Sequence, residues 1–182
     1  NIKNKKVSIV TSPRSLYKNY NSEILPLGGV ANVKTIFCNE NGYMAHYQSD
    51  RYGFNNPDFV WDDKKISYLI LGDSFAHGAC VNRPNDIASV LRTKLNKKAI
   101  NLGFAGNGPL TSLAAYREYG KNNDFENVLL FYYEGNDLIN LGVELRHEVL
   151  SKYYNDKSFS QSLKDKQNKI NSLGSNNINI IL

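Results

Sequence analysis

YLILGDSFAHG, residues 68–78, runs from four apolar or aromatic residues straight into Gly72, Asp73 and Ser74, with His77 three positions further on. The apolar run begins at Ile66, and ISYLIL (66–71) has the length and composition of a strand buried on both faces. Two similar runs follow, KAINLG (98–103) and NVLLFYY (127–133). Between the first two, RPNDIASVLRTKLN places Pro84 where a first helical turn accepts it and gathers Ile87, Val90, Leu91 and Leu95 on one face. Between the second and third, PLTSLAAYREYG opens near Pro109 and ends on Gly120, positioned as a C-terminal cap. Strand, helix, strand, helix, strand predicts an α/β domain with a parallel sheet and right-handed crossovers.

Outward from this centre the reading is coarser. Residues 1–33 are polar, with turn signals at Ser12-Pro13 and Leu27-Gly28-Gly29, and read as an irregular lead-in. Two β-prone runs at 33–38 and 43–48 flank Asn39-Glu40-Asn41-Gly42 and predict a β-hairpin, with His46 in a structural role on its second arm. After residue 137, helical spacings recur (Leu138, Leu141, Leu145; Phe159, Leu163, Ile170), and INIIL (178–182) reads as the start of a fourth parallel strand. The expected organisation is an N-terminal extension over 1–65 and an α/β domain over 66–182 that lacks the C-terminal end of its sheet.

At 182 residues the chain is long enough to bury a substantial core, and 41% hydrophobic with 21% charged residues is ordinary for a globular protein. The net charge of +5 comes from scattered lysines and arginines, with no basic stripe, so nucleic acid is not an expected partner. No apolar run approaches the roughly 20 residues of a membrane-spanning helix. Cys38 and Cys80 have neither metal-ligand spacing nor the density of a disulfide scaffold. They read as two free, partly buried thiols.

In open α/β sheets ligands bind beyond the carboxyl ends of the strands. The segments there are Gly72-Asp73-Ser74, GFAGNGP (103–109) and EGND (134–137). Any one of them could be an ordinary strand-to-helix loop, since Asp, Asn and Ser cap helices. As an ordered set over residues 66–140 they resemble the SGNH/GDSL hydrolase superfamily, and SDRYGFNNPD before the first strand resembles bacterial branches that modify surface polysaccharides. The resemblance implies a three-layer α/β/α, flavodoxin-like domain. It makes Ser74 the nucleophile, with the backbone N–H groups of Ser74 and Gly106 and the side-chain amide of Asn136 as oxyanion-hole donors. Gly106 is preferred to Gly103 because it sits in the loop proper. Asp73 and Asp137 take supporting, loop-bracing roles. No metal or organic cofactor is implied, and a cell-envelope or periplasmic setting is favoured over cytoplasm.

The chemistry agrees with this assignment. A serine hydroxyl attacks only when a base takes its proton, and preorganised N–H donors stabilise the oxyanion, one such donor being worth about 3–4 kcal/mol in the transition state. Glycine at 106 lets backbone approach that oxygen without a side chain in the way.

The base is the difficulty. The family carries an Asp-x-x-His segment near its C-terminus, and none of the three histidines, His46, His77 and His147, is preceded by Asp three positions earlier. Glu144 to His147 is the nearest imitation, on a helix running away from the strand tips. His77 is close in sequence to Ser74, but a neighbour in the first turn lacks the freedom to face both serine and leaving group; its expected role is loop bracing or lining the pocket wall. The expectation is therefore a base beyond Leu182, the alternative being a natural pseudoenzyme. The expected function is hydrolysis of an ester on a small molecule or glycan. The alternatives are an O-acyltransferase for a surface polysaccharide, using the same residues, and a non-catalytic module that binds carbohydrate or a partner.

Overall fold

The computed structural model describes residues 5–16, 24–40, 42–121, 123–174 and 179–181. In chain order, β1 (Lys5–Ile9), α1 (Pro13–Leu16), β2 (Lys34–Cys38) and β3 (Ala45–Gln48) precede a 3₁₀ turn at Asp58–Asp62. β4 (Lys65–Gly72), α2 (Ser74–His77), α3 (Ile87–Lys94), β5 (Ala99–Asn101) and α4 (Pro109–Ala115) come next, α4 running into a π-helical turn at Tyr116–Gly120. β6 (Asp124–Phe131), α5 (Asp137–Glu144), α6 (Glu148–Asn155), α7 (Gln167–Gly174) and β7 (Asn179–Ile181) follow.

The protein is mixed α/β. β4, β5 and β6 form a parallel sheet in the order β5-β4-β6, so the first strand in sequence is central and the next two flank it. Side chains alternate along β4. Leu69 and Leu71 join a core cluster with Leu110 and Ala114 of α4, whereas Ile70 packs with Ala76 of α2 and Ala88 of α3. Both faces of β4 are thus covered, which is why its sequence is a continuous apolar run.

β6 departs from that expectation. Among the described residues it pairs with β4 on one side only, and Val128 and Leu130 remain 47% and 56% exposed, lining an open pocket that Pro109, Ser112 and Leu113 of α4 border. Its apolar run marks a half-covered edge strand rather than a fully buried one.

The second sheet has the order β3-β2-β1-β7. β2 pairs antiparallel with β3, Lys34 opposite Gln48 and Ile36 opposite His46; Asn41 of the intervening turn lies outside the described residues. β1 corrects the reading of residues 1–33 as irregular. Lys5, Lys6 and Ser8 interrupt its apolar pattern, yet it pairs in parallel with β2 and buries Val7. Ile24, Leu25 and Leu27 of the same region enter the core cluster that also holds Phe54 and Ile100. Burying each such large side chain contributes about 1.5–3 kcal/mol.

β7, from the INIIL run, is antiparallel to β1 and is not a fourth strand of the parallel sheet. A short apolar run records burial, not strand direction or partner. Pro84 likewise precedes its helix: α3 begins after Asp86, whose carboxylate accepts from Ser89 N–H at 3.0 Å, and Val90 and Leu95 of the expected apolar face are exposed.

Cys38 and Cys80 are joined in a disulfide across a sequence separation of 42, with Cα atoms 5.1 Å apart, and are not free thiols. Their spacing carries no trace of this; the fold creates it by laying the end of β2 against the segment after α2. Among the described residues, no helix is long and apolar enough to cross a membrane.

Candidate active site

In open α/β sheets ligands bind beyond the carboxyl ends of the strands, near where strand order reverses. With the first strand lying between the second and third, that point is at the carboxyl ends of β4 and β6. Ser74 follows β4 at this point and EGND follows β6. GFAGNGP follows β5 on the other side of β4.

The turn into Ser74 is fixed by its two predecessors. Gly72 has φ +141°, and a Cβ there would lie 2.7 Å from the Phe131 carbonyl oxygen of β6, so both backbone angle and space require glycine. Asp73 caps α2, its Oδ1 accepting from Phe75 N–H at 2.9 Å. Its Oδ2 is buried and makes no hydrogen bond with any described residue. Burial, and secondarily the charge of Asp137, raises the Asp73 pKa. Ser74 is the first residue of α2 and is partly exposed.

The second loop is fastened against this turn. Phe104 N–H donates to Gly72 O at 3.1 Å, and Asn101 reaches across, its Nδ2 donating to Ala76 O at 2.6 Å while its Oδ1 accepts from Gly103 N–H at 2.8 Å. Gly106 is exposed at the loop tip with φ +84°, and a Cβ there would meet Ser12 Cβ at 3.1 Å. Glu144 of α5, fully buried, accepts from Gly108 N–H at 2.7 Å, from Leu110 N–H at 2.9 Å and from the Thr111 hydroxyl, and so caps α4 from a distant element.

The third loop lies beside the first, with the rings of Phe75 and Tyr133 5.2 Å apart. Asn136 immediately precedes α5; its Oδ1 is buried without a partner among the described residues. Asp137 accepts from Tyr133 N–H at 2.8 Å through Oδ2, which closes the EGND turn.

His77 is wholly buried and committed at both ring nitrogens. Ala105 N–H donates to Nδ1 at 3.1 Å, so the ring proton is on Nε2, which donates to the Tyr47 hydroxyl at 2.8 Å. The ring stacks on Phe104 and lies against Phe37, both at 4.4 Å between centroids. Burial pushes its pKa down to about 3. This neutral imidazole braces the second loop. His147 caps α6 through Nδ1, accepting from Val149 N–H at 3.2 Å, and His46 sits exposed on β3 with Nδ1 3.2 Å from Met44 O.

Sequence reasoning did not single out the polar residues behind the site. Asp50, fully buried, accepts from Tyr52 N–H, Phe54 N–H, Asn56 Nδ2 and Trp61 Nε1, all at 2.8–2.9 Å. Burial raises its pKa to about 6 although these donors oppose the shift. Asn56 exchanges two 2.8 Å hydrogen bonds with the Asn101 backbone, and Asn55 Nδ2 donates to His77 O at 3.0 Å. The readable signal was the polar density of SDRYGFNNPD. Its partners, up to 45 residues away in sequence, were not readable.

The arrangement offers a partly exposed hydroxyl at a strand tip, a glycine N–H bearing loop on one side and a side-chain amide on the other. Among the described residues, no group of three or more His, Cys, Asp and Glu could hold a metal ion. No protein-family model matches the chain, nor does any curated protein or solved structure.

Proposed function

We propose that the protein is a serine acyl hydrolase of SGNH type, built on a three-layer, flavodoxin-like α/β/α domain and acting on an ester of a small molecule or glycan. The observation that carries this reading is the position of Ser74 just beyond the carboxyl end of β4, with Asn136 in the loop after the neighbouring β6 and the loop that carries Gly106 fastened to the same turn. The order β5-β4-β6 also matches the start of the flavodoxin-like order, second strand, first strand, third strand.

In this mechanism Ser74 Oγ attacks the acyl carbonyl, and the oxyanion rests on the N–H groups of Ser74 and Gly106 and on Asn136 Nδ2. Collapse expels the alcohol and leaves an acyl-enzyme, which water then hydrolyses. The mechanism needs a general base other than His77, whose nitrogens are both occupied and whose protonation burial opposes.

A fluorophosphonate probe tests the reading: it should label the protein at Ser74, and Ser74→Ala should abolish labelling while leaving the unfolding midpoint unchanged. Absence of labelling in the complete gene product, or equal labelling of Ser74→Ala, would sink it.

A further inference from the structure

A second concave site lies on the far side of the hairpin. Cross-strand pairing of Lys34 with Gln48 and of Ile36 with His46 puts Lys34, His46 and Gln48 on one face, while Tyr47 and Thr35 are buried on the other. The segment after the Cys38–Cys80 disulfide runs along the outer edge of β3 and forms a wall. His46 N–H donates to Asn82 Oδ1 at 2.8 Å, and Arg83 Nη2 donates to Gln48 O at 2.5 Å. Between wall and sheet is an open pocket of about 410 Å³ lined by Lys34, His46, Tyr47, Gln48, Asn82 and Arg83.

The chemistry of this lining is one-sided. It holds two fixed cations, an imidazole and two amides, and no carboxylate. Neither Lys34 nor Arg83 forms an ion pair with any described residue. Asp86 acts on Arg83 only through space, its Oδ1 accepting from Ser89 N–H. Arg83 is half-buried and spans the wall, so part of its hydration is already lost; one guanidinium nitrogen is tied to the sheet edge and the fork is held in place. A planar guanidinium held this way beside a lysine ammonium is suited to an oxyanion, which would gain charge-assisted hydrogen bonds from both. The pocket volume falls in the range of small-molecule sites.

We propose that this pocket binds a small polar oxyanion, a carboxylate or phosphate carried on a sugar-sized molecule, with Arg83 and Lys34 as its charge partners and Asn82 and Gln48 at its polar rim. The site is independent of Ser74 chemistry, so it stands or falls by binding alone. It also accounts for two cations, Lys34 and Arg83, that form no ion pair among the described residues.

The test is a titration of the isotopically labelled protein, followed by amide and side-chain chemical shifts, with inorganic phosphate, glucose 6-phosphate and glucuronate, and with glucose as the neutral control. Saturable shifts confined to Lys34, His46, Asn82 and Arg83 are expected for at least one anion and not for glucose, and the ranking of the three anions separates phosphate from carboxylate recognition. Lys34→Gln, an exposed side chain whose loss cannot unfold the hairpin, should weaken binding by about tenfold, and Arg83→Gln by at least as much. The proposal is overturned if no anion saturates with a dissociation constant below about 10 mM, if glucose shifts the same residues equally, or if Lys34→Gln binds with wild-type affinity.

Discussion

His77 should contribute an acid-sensitive share of the protein's stability that one substitution removes. The ring's pKa lies at about 3 in the folded protein against 6.5 when unfolded, because burial opposes the imidazolium. The unfolded chain therefore binds the proton more tightly between these values. His77's contribution is fully present above pH 6.5 and is lost as pH falls toward 3, at about 1.4 kcal/mol per pH unit. By pH 4.5 the loss is about 3 kcal/mol. Asp50 runs the other way: its pKa is raised from 3.8 to about 6, so its contribution is present below 3.8 and is lost as pH rises through 6. The two slopes nearly cancel between pH 4 and 6, and the wild-type curve alone would hide both. The comparison must therefore be with His77→Asn, which keeps an acceptor near Ala105 N–H but removes the titrating ring. That variant should lose about 2–4 kcal/mol at pH 7.5, from the Tyr47 bond and the packing on Phe37 and Phe104. Urea unfolding of both proteins from pH 7.5 to 4.5 is the assay. The stability gap should narrow by about 1.4 kcal/mol per unit below pH 6.5, while the variant itself becomes more stable from pH 6 to 4.5 as Asp50 takes up its proton. Asp58, lowered by its hydrogen bond to Arg51, is common to both proteins and cancels in the gap. A gap that stays constant to within about 0.5 kcal/mol over this range would refute the assignment of His77 as a buried neutral brace.

Two further outcomes follow from single contacts. Glu144→Gln puts an amide N–H₂ against the N–H group of either Gly108 or Leu110, which donate to different carboxylate oxygens, and should cost about 2–4 kcal/mol in urea unfolding; a loss below about 0.5 kcal/mol would mean the cap of α4 does not depend on that carboxylate. Reducing the Cys38–Cys80 bond, which closes a loop with a sequence separation of 42, should cost about 4 kcal/mol by chain entropy, read as a fall in the urea midpoint on adding reductant; no fall would mean the bond does not form in solution.

What could be read from the sequence divides along a physical line. β4 was legible because a strand covered on both faces is a continuous apolar run, and the turn after it because Gly72 and Asp73 are chemically required there. β1 was not legible: Lys5, Lys6 and Ser8 obscure a strand whose existence depends on pairing with β2. The exposure of Val128 and Leu130 on β6 could not be read either, because an apolar run reports what a strand can bury and not whether a neighbour arrives. For His77 the sequence argued against a catalytic partner of Ser74, because a first-turn neighbour lacks the freedom to face both serine and leaving group. It could not name the ring's hydrogen-bond partners, Tyr47 and Ala105, 30 and 28 residues away.

These distant bonds bear on how Ser74 is held at all. α2 has only four residues, Ser74–His77, and a helix that short has no stability of its own. Its geometry has to be imposed from outside, and two buried polar relays do so. One runs from Tyr47 through the His77 ring to Ala105 N–H and fixes the end of the turn to the second loop. The other runs from Asp50 through Asn56 to Asn101 and on to Ala76 O, fixing the middle of the turn to the end of β5. Tyr47, Asp50 and Asn56 all precede β4, so the segment before the parallel sheet is part of what aims Ser74. Because each relay member is buried, removing one leaves its neighbours unsatisfied, and the cost exceeds that of the single bond lost. Substitutions at Asn56 or Tyr47, outside the three loops, should therefore disturb the Ser74 turn as much as substitutions within it.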